Sequence, residues 1–358
     1  MTQPSASVPE NEAPKRSEPA DGTLLTVSVS PMRLSDLPML RSFPVVHRLD
    51  QPDASLRGSS LVFTGLRSIV PRKKRRAPAF VARTGGHRLG MVSFTASQPD
   101  GRWSLDTLAT ATGVYAAEPL WNALMQYAVQ QAGLRGVRML FARIPVQSAL
   151  EVAFRHDGWN QFATETIFVG RDLRPNLSVP IPRPMDVHDT WSVYQLYCAT
   201  VPREVQQVEA WTSRHWEVPT GPAVSQPRLT GWVIEEGGEI VGHARVRSSG
   251  QRHVVEFLIH PDHRELAGGF IDGVLRAIAD LGLARVSVVV RGYQSELARP
   301  LEERAFTPVI EQSLLVRHTT ARVRRRATNL IRFPFALRER SAQRVPTMLR
   351  RTAEDRRP

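Results

Sequence analysis

The sequence has a single cysteine, Cys198, and only three lysines, at positions 15, 73 and 74. One cysteine excludes an intramolecular disulfide and a cysteine-only zinc site. No stretch approaches the roughly 20 consecutive apolar residues that span a bilayer. The opening MTQPSASVPENEAPKRSEPADG has neither the apolar core nor the basic start of a signal peptide. A cytoplasmic location is the expectation. Aromatic residues are few, at 7%, while the hydrophobic share of 42% and charged share of 23% are ordinary for a globular chain. A length of 358 residues accommodates two domains with real cores.

With lysine scarce, the positive charge is almost all arginine. The formal net charge is +13, but it is concentrated. Residues 317–358 hold thirteen arginines against Glu339, Glu354 and Asp355, a net +10, and Arg72–Arg76 adds +5. The rest of the chain is therefore close to neutral, at −2. The basicity belongs to one loop and one tail, so it does not by itself mark a nucleic-acid-binding fold.

The chain repeats itself. PMRLSDLPML begins at Pro31 and PMDVHDTWSV at Pro184, an offset of 153. RTGGHRLGMVSF and EEGGEIVGHARV are offset by 152, AGLRGVRMLFARI and LGLARVSVVVRGY by 149, and QSALEVAFRHDGW and QSELARPLEERAF by 147. The four matches keep their order and the offsets fall steadily, as small deletions after a duplication would produce. Each half predicts one grammar. A helix starts near Ser35 or Asp186, and a variable region follows. A hairpin then turns at Gly85-Gly86 or Gly237-Gly238. A third strand leads into a helix (Pro119–Ala132; Glu265–Leu281). A buried strand, a short helix and a last strand close the unit. The fold class expected is α/β, a mixed sheet covered by helices, in two tandem units. The divisions are a disordered tail at 1–23, a first unit at 24–173, a proline-rich linker at 174–184, a second unit at 185–319 and a basic tail at 320–358.

IHPDHRELAGGF, from Ile259 to Phe270, reads as a strand end, a proline corner, a cation, two glycines and a helix. A helix N-terminus presents unpaired N–H groups and a partial positive charge, glycines let an anion approach, and Arg264 adds a permanent cation. The other reading of the same residues is a capped helix with no ligand. In the strand before it, Glu256 is either a base with a raised pKa or a carboxylate on the solvent face. Tyr293 is either a proton donor or a packing residue. Gln294 and Ser295 are polar contacts or helix caps. His253, His260 and His263 do not have zinc-site spacing, and no metal is expected.

The order of elements resembles the GNAT superfamily of N-acetyltransferases, present twice, over roughly 24–171 and 180–319. Its signature is a strand followed by V-x-P-x-x-[RQ]-x-x-G-x-[GA] and a helix. Ile259, Pro261, Arg264, Ala267 and Gly269 fall in that frame, with alanine replacing the first loop glycine. The resemblance implies acetyl-CoA as co-substrate in the second unit. Its contacts would be Leu258, Ile259, Arg264, Glu265, Leu266, Ala267, Gly268, Gly269, Phe270 and Gln294, with oxyanion donors near Leu258 and Ile259. It implies Glu256 and Tyr293 as catalytic groups. The family's usual tyrosine position holds Phe154 in the first half and Leu301 in the second, and neither donates a proton. In the first unit Tyr115, Glu118 and Leu120 stand opposite Arg264, Ala267 and Gly269, which implies a degenerate unit without coenzyme.

The expected function is transfer of an acetyl group to the amine of a small-molecule or peptide acceptor. The alternative is a catalytically inactive tandem module that binds or scaffolds. Residues 320–358 would give weak contact with an anionic partner, RNA or a membrane surface.

Overall fold

The computed structural model describes residues 24–38, 40, 43–49, 52, 56, 78–85, 87–97, 101–111, 114–218, 228–319 and 329–332. The amino-terminal tail, the basic loop Arg72–Arg76 and most of the basic tail lie outside the described residues.

The first half runs β1 (Leu24–Pro31), β2 (Val45–Arg48), β3 (Ala79–Thr84), β4 (His87–Ser97), β5 (Arg102–Thr110), α1 (Val114–Leu134), β6 (Met139–Pro145), α2 (Ala149–His156) and β7 (Asn160–Arg171). The second half runs β8 (Arg183–Pro184), α3 (Thr190–Thr200), α4 (Arg203–Glu209), β9 (Arg228–Glu236), β10 (Glu239–Ser249) and β11 (Arg252–Ile259). It continues with α5 (Ala267–Ala277), β12 (Arg285–Arg291), α6 (Ala298–Glu302) and β13 (Thr307–His318). A last strand, β14 (Asn329–Arg332), lies in the basic tail and pairs antiparallel with β1.

Local chemistry accounts for the boundaries. The β9–β10 turn has Gly237 and Gly238 at φ 61° and 85°, the left-handed pair a two-residue hairpin needs. Asp186 opens the segment before α3 with a reciprocal cap, accepting from the His188 N–H while Asp189 accepts from its own N–H. The helix expected from Pro119 starts five residues earlier, at Val114, and carries Pro119 inside it. The helix expected over Glu265–Leu281 is shorter, because a 3-10 turn at Pro261–Leu266 precedes it and another at Ala279–Leu281 follows.

All these strands join one sheet, ordered β14-β1-β3-β4-β5-β6-β13-β7-β12-β11-β10-β9-β8, with β2 on β5. The order is a near-palindrome of the two halves, with one exchange. The last strand of each half does not close its own half. β7 pairs with β12, from Glu165↔Arg291 to Arg171↔Arg285, and β13 pairs with β6, from Gln312↔Pro145 to His318↔Met139. β7 and β13 then pair with each other at the centre. Either last strand could fill the open edge of β12, and here β7 does so. β12 has Val286 to Val290 buried in succession, and such a strand needs a partner on both edges.

Helices α1, α2, α5 and α6 cover one face. Leu120, Trp121 and Leu124 pack on Phe94, Trp103 and Leu140 in the first half. Phe270, Ile271 and Val274 pack on Val255, Phe257 and Ile259 in the second. By strand alternation the even residues of β11 face the other way. There Leu258 meets α3 through Val193, Leu196 and Tyr197. Among the described residues, no helix is long and apolar enough to cross a membrane.

Candidate functional site

The segment expected to hold a phosphate is folded as short helical turns kinked at His263, whose φ of −124° and ψ of 34° are not helical. Pro261–Leu266 is 3-10 and runs into α5, whose Ala267 N–H donates to the Arg264 carbonyl. Gly268 and Gly269 are helical, without positive φ, so they do not form the alternating-handed concavity that cradles anions. Ala267 is 1% exposed and packs in the core under the sheet, which explains an apolar side chain where a glycine was expected. A Cβ on Gly268 would lie 2.9 Å from Arg304 Nη2, and Arg304 is held by a two-pronged ion pair to Asp272 at 2.7 Å on each prong. A Cβ on Gly269 would meet nothing. Arg264 and Glu265 are exposed, Leu266 is half-buried, and Phe270 is a core residue packed edge-on against Phe257.

Beside this segment the sheet opens. β11 and β12 pair in parallel only as far as Glu256↔Val289, so residues 257–259 present a free edge to a gap. Gln294 fills part of it. Its Nε2 donates to the Phe257 carbonyl at 2.6 Å and its Oε1 accepts from the Arg291 N–H at 3.0 Å. The Thr200 hydroxyl donates to the Ile259 carbonyl at 3.3 Å. Since Phe257 faces the gap, alternation puts the Ile259 N–H on the same edge and turns the Leu258 amide towards β10. Of the two residues expected to supply an oxyanion donor, only Ile259 turns its N–H to the gap. Tyr293 and Gln294 line a small cavity here with Tyr197, Leu258 and His243. Burial pushes the Tyr293 phenol up, so it stays protonated.

The largest chemistry lies next door, and little of it was anticipated. A cavity of about 190 Å³ opens on the sheet face away from α1, α2, α5 and α6, where the two halves meet. Arg102 and Arg143 reach it from the first half, and Arg245, Arg247 and Arg291 from the second. Glu209 and Glu256 line it as well. Beneath them Glu165, on the exchanged strand β7, is fully buried, with Arg143 Nε at 2.7 Å and Arg291 Nη1 at 3.4 Å. Arg291 also reaches Glu209 at 3.3 Å, and Glu209 accepts from the Tyr197 hydroxyl at 3.0 Å.

The environment splits the two carboxylates. Burial would raise Glu256, but Arg247, paired with it at 2.9 Å, together with Arg245, Arg291 and Arg143, brings it down to about 2. The raised pKa expected for Glu256 is thus corrected: it is a permanent anion, and a carboxylate with that pKa is a feeble base. Glu209 behaves in the opposite way. Burial raises it, and Arg291 and the Tyr197 hydrogen bond only partly oppose the rise. Glu209 is therefore shifted in the direction that one of the two sequence readings gave Glu256. Its signal was weak, since it ends a short helix in a region without motif.

Two histidines stay neutral here. Burial, and then Arg245, pushes His215 and His243 down to about 3. Arg245 Nη1 lies 2.6 Å from His215 Nε2, and His215 stacks on Trp211. Both ring nitrogens of His243 are buried without a hydrogen-bond partner. The folded values lie below the ordinary 6.5, so the stability these groups contribute is complete above pH 6.5 and is lost as pH falls towards 3. Glu256 adds a second loss between about 4.5 and 2, while the raised Glu209 works in the opposite sense. The melting temperature is expected to fall from pH 6.5 downwards. His243→Phe, which keeps a ring against Trp216, should flatten that slope. An unchanged slope between pH 6.5 and 5 in a melting series would refute the assignment.

No family model matches the sequence, and no curated protein matches it either. Solved structures do match. A GCN5-related N-acetyltransferase from Sphaerobacter thermophilus superposes with a TM-score of 0.51 at 12% identity, over 82% of this chain and 96% of that one. A tandem GNAT protein from the clavulanic acid biosynthesis pathway gives 0.47 at 13% identity, over 82% and 99%. A GNAT-family acetyltransferase from Colwellia psychrerythraea gives 0.42 at 10% identity, over 82% and 100%. With the splayed β11–β12 pair and a strand order that the two halves share apart from β2, the chain has the GNAT fold, laid down twice in tandem and joined into a single sheet.

Proposed function

We propose that the protein is a cytoplasmic N-acyltransferase whose second unit takes an acetyl group from acetyl-CoA. The observation that carries this reading is Glu209, a carboxylate whose burial raises its pKa, set between the β11–β12 gap and an open charged cavity. The coenzyme's extended arm would lie in the gap along Phe257 and Ile259, taking the place of the Gln294 side chain at the Phe257 carbonyl. Its pyrophosphate would lie over Arg264 and the start of α5, from Glu265 and Leu266 to Gly268 and Gly269.

An ammonium in the cavity loses one proton to Glu209, and the freed nitrogen lone pair attacks the thioester carbonyl carbon. The Ile259 N–H faces the developing oxyanion. The carbon–sulfur bond then breaks, the leaving thiolate takes the Tyr293 hydroxyl proton, which burial has kept in place, and the surplus proton on the new C–N nitrogen returns to the phenolate, leaving a neutral amide and a free thiol. Glu256, always ionised, orients the arginines rather than moving a proton. Removing the base should lower kcat about 100- to 10,000-fold. Glu209→Gln preserves shape and tests this through thiol release from acetyl-CoA in the presence of an amine pool. A variant as fast as the parent would overturn the role.

One observation favours a second reading, a non-catalytic binding module. Gln294 bridges the gap, and the 3-10 turn before α5 absorbs a helix N–H that a phosphate would need. On that reading acetyl-CoA neither binds nor is consumed.

A further inference from the structure

The two halves treat the same gap differently. Gly90 pairs with Thr110 as Gly242 pairs with Ile259. The next amide returns to the neighbouring strand in both halves, Ala111 N–H to the Leu89 carbonyl at 2.7 Å and His260 N–H to that of Val241 at 2.8 Å. Thr110 therefore corresponds to Ile259, and Leu108 to Phe257. The parallel pairing on the opposite edge stops early in both, at Ser104↔Phe141 for β5 and β6 and at Glu256↔Val289 for β11 and β12. Each half thus has a splayed pair and a strand edge left over.

In the first half that edge is taken. β2 lies along it from Val45↔Thr110 to Arg48↔Thr107, and the Leu49 N–H continues the ladder to the Asp106 carbonyl at 3.0 Å. That bond fixes which residues exchange hydrogen bonds. Leu49 does so with Asp106, and by antiparallel alternation His47 does so with Leu108 and Val45 with Thr110. Leu108 and Thr110 are the counterparts of Phe257 and Ile259, the two residues that face the open gap in the second unit. Thr107 to Thr110 are all buried, and His47 packs edge-on against Trp121 of α1, with ring centroids 5.7 Å apart. In the second half a side chain reaches the edge instead, through the Gln294 bond to the Phe257 carbonyl. The first half's matching glutamine, Gln147, is exposed.

The course of β2 also corresponds. It runs from the end near α1, where Val45 faces Thr110, to the central cavity, which Leu49 lines. The coenzyme's arm in the second unit would run from the start of α5 to the same cavity. An extended arm carrying amides offers N–H and C=O groups to an unpaired strand edge, as an added strand does.

We propose that β2 is the first unit's built-in occupant, a strand of the protein's own backbone filling the gap that the second unit leaves open for an extended, amide-bearing arm. The comparison with a coenzyme arm rests on the transferase reading; the filling of the gap does not. The first unit is then closed to coenzyme by its own chain, and not only by having Tyr115 and Glu118 where the second has Arg264 and Ala267. Through Leu49, β2 also becomes part of the wall of the central cavity.

The test is hydrogen exchange of the full-length protein, resolved to single amides, with and without acetyl-CoA. Without it the Leu108 and Thr110 amides should exchange slowly and the Ile259 amide fast. Acetyl-CoA should slow Ile259 and leave Leu108 and Thr110 unchanged. His47→Pro removes the N–H bonded to Leu108 and should speed exchange at Leu108 about tenfold or more. If that variant does not fold, the parent's own pattern decides. The proposal is overturned if Leu108 and Thr110 exchange as fast as Ile259, if acetyl-CoA slows them, or if folded His47→Pro exchanges like the parent. If acetyl-CoA alters none of the three amides, the transferase reading fails, while slow exchange at Leu108 and Thr110 still upholds β2 as the occupant of the first gap.

Discussion

Residues 174–319 expressed alone will not fold. That fragment holds every residue expected to touch the coenzyme, yet it lacks β7, which fills the sheet between β12 and β13. Without β7 the backbone groups of β12 from Arg285 to Arg291 have no partner on that edge. Ile167, Phe168 and Val169, exposed by only 4%, 4% and 5%, are lost from the core as well. At about 1.5–3 kcal/mol for each buried apolar side chain, their loss approaches the 5–15 kcal/mol that stabilises an ordinary domain. The symmetrical fragment 24–173 lacks β13 and should fail in the same way. Co-expression of the two should restore a soluble complex, because each then supplies the other's missing strand. Circular dichroism, melting and co-purification check this. A soluble second-unit fragment that melts cooperatively would show that the exchange is dispensable.

Glu165→Ala should cost about 3 kcal/mol, the low end for breaking a buried pair, because Arg143 loses its counter-ion while Arg291 keeps a second one. Among the described residues Glu165 is ion-paired with both Arg143 and Arg291, and it is fully buried. Arg291 keeps Glu209 at 3.3 Å, while Arg143 makes no second ion pair among the described residues. Glu165→Gln retains the volume and a hydrogen-bond acceptor and should cost less. Because β7 belongs to the first half and Arg291 to the second, the loss should appear as destabilisation of one common transition rather than of one half. Urea unfolding followed by tryptophan fluorescence gives the number. A change below about 1 kcal/mol would mean that solvent, not Glu165, neutralises these arginines.

Much of this fold is readable from sequence because its cues are local. Four ordered matches reveal the duplication, and Gly237-Gly238 reveals a hairpin by the backbone conformation it permits. The strand exchange has no local cue. β7 and β13 offer similar apolar faces, and which strand edge each joins is decided by three-dimensional proximity. The backbone of the segment expected to bind an anion has no local cue either. Arg264 and Gly269 stand in the right frame, but residue type does not disclose that Pro261–Leu266 winds into a 3-10 turn or that Ala267 packs inwards. The charged cavity was hidden by abundance. Arginine is so frequent here that Arg102, Arg143, Arg245, Arg247 and Arg291, taken from four strands, did not stand out. Only the register that puts Arg245 beside Glu256, and Glu165 beside Arg291, gathers them.

Calorimetric titration of acetyl-CoA into the full-length protein tests the central claim most directly. The account predicts one site per chain, lying in the second unit. It also predicts about 10- to 100-fold weaker binding for Arg264→Ala, which removes an exposed cation at the start of α5 and disturbs no packing. Absence of binding, two equal sites per chain, or an affinity indifferent to Arg264 would contradict it.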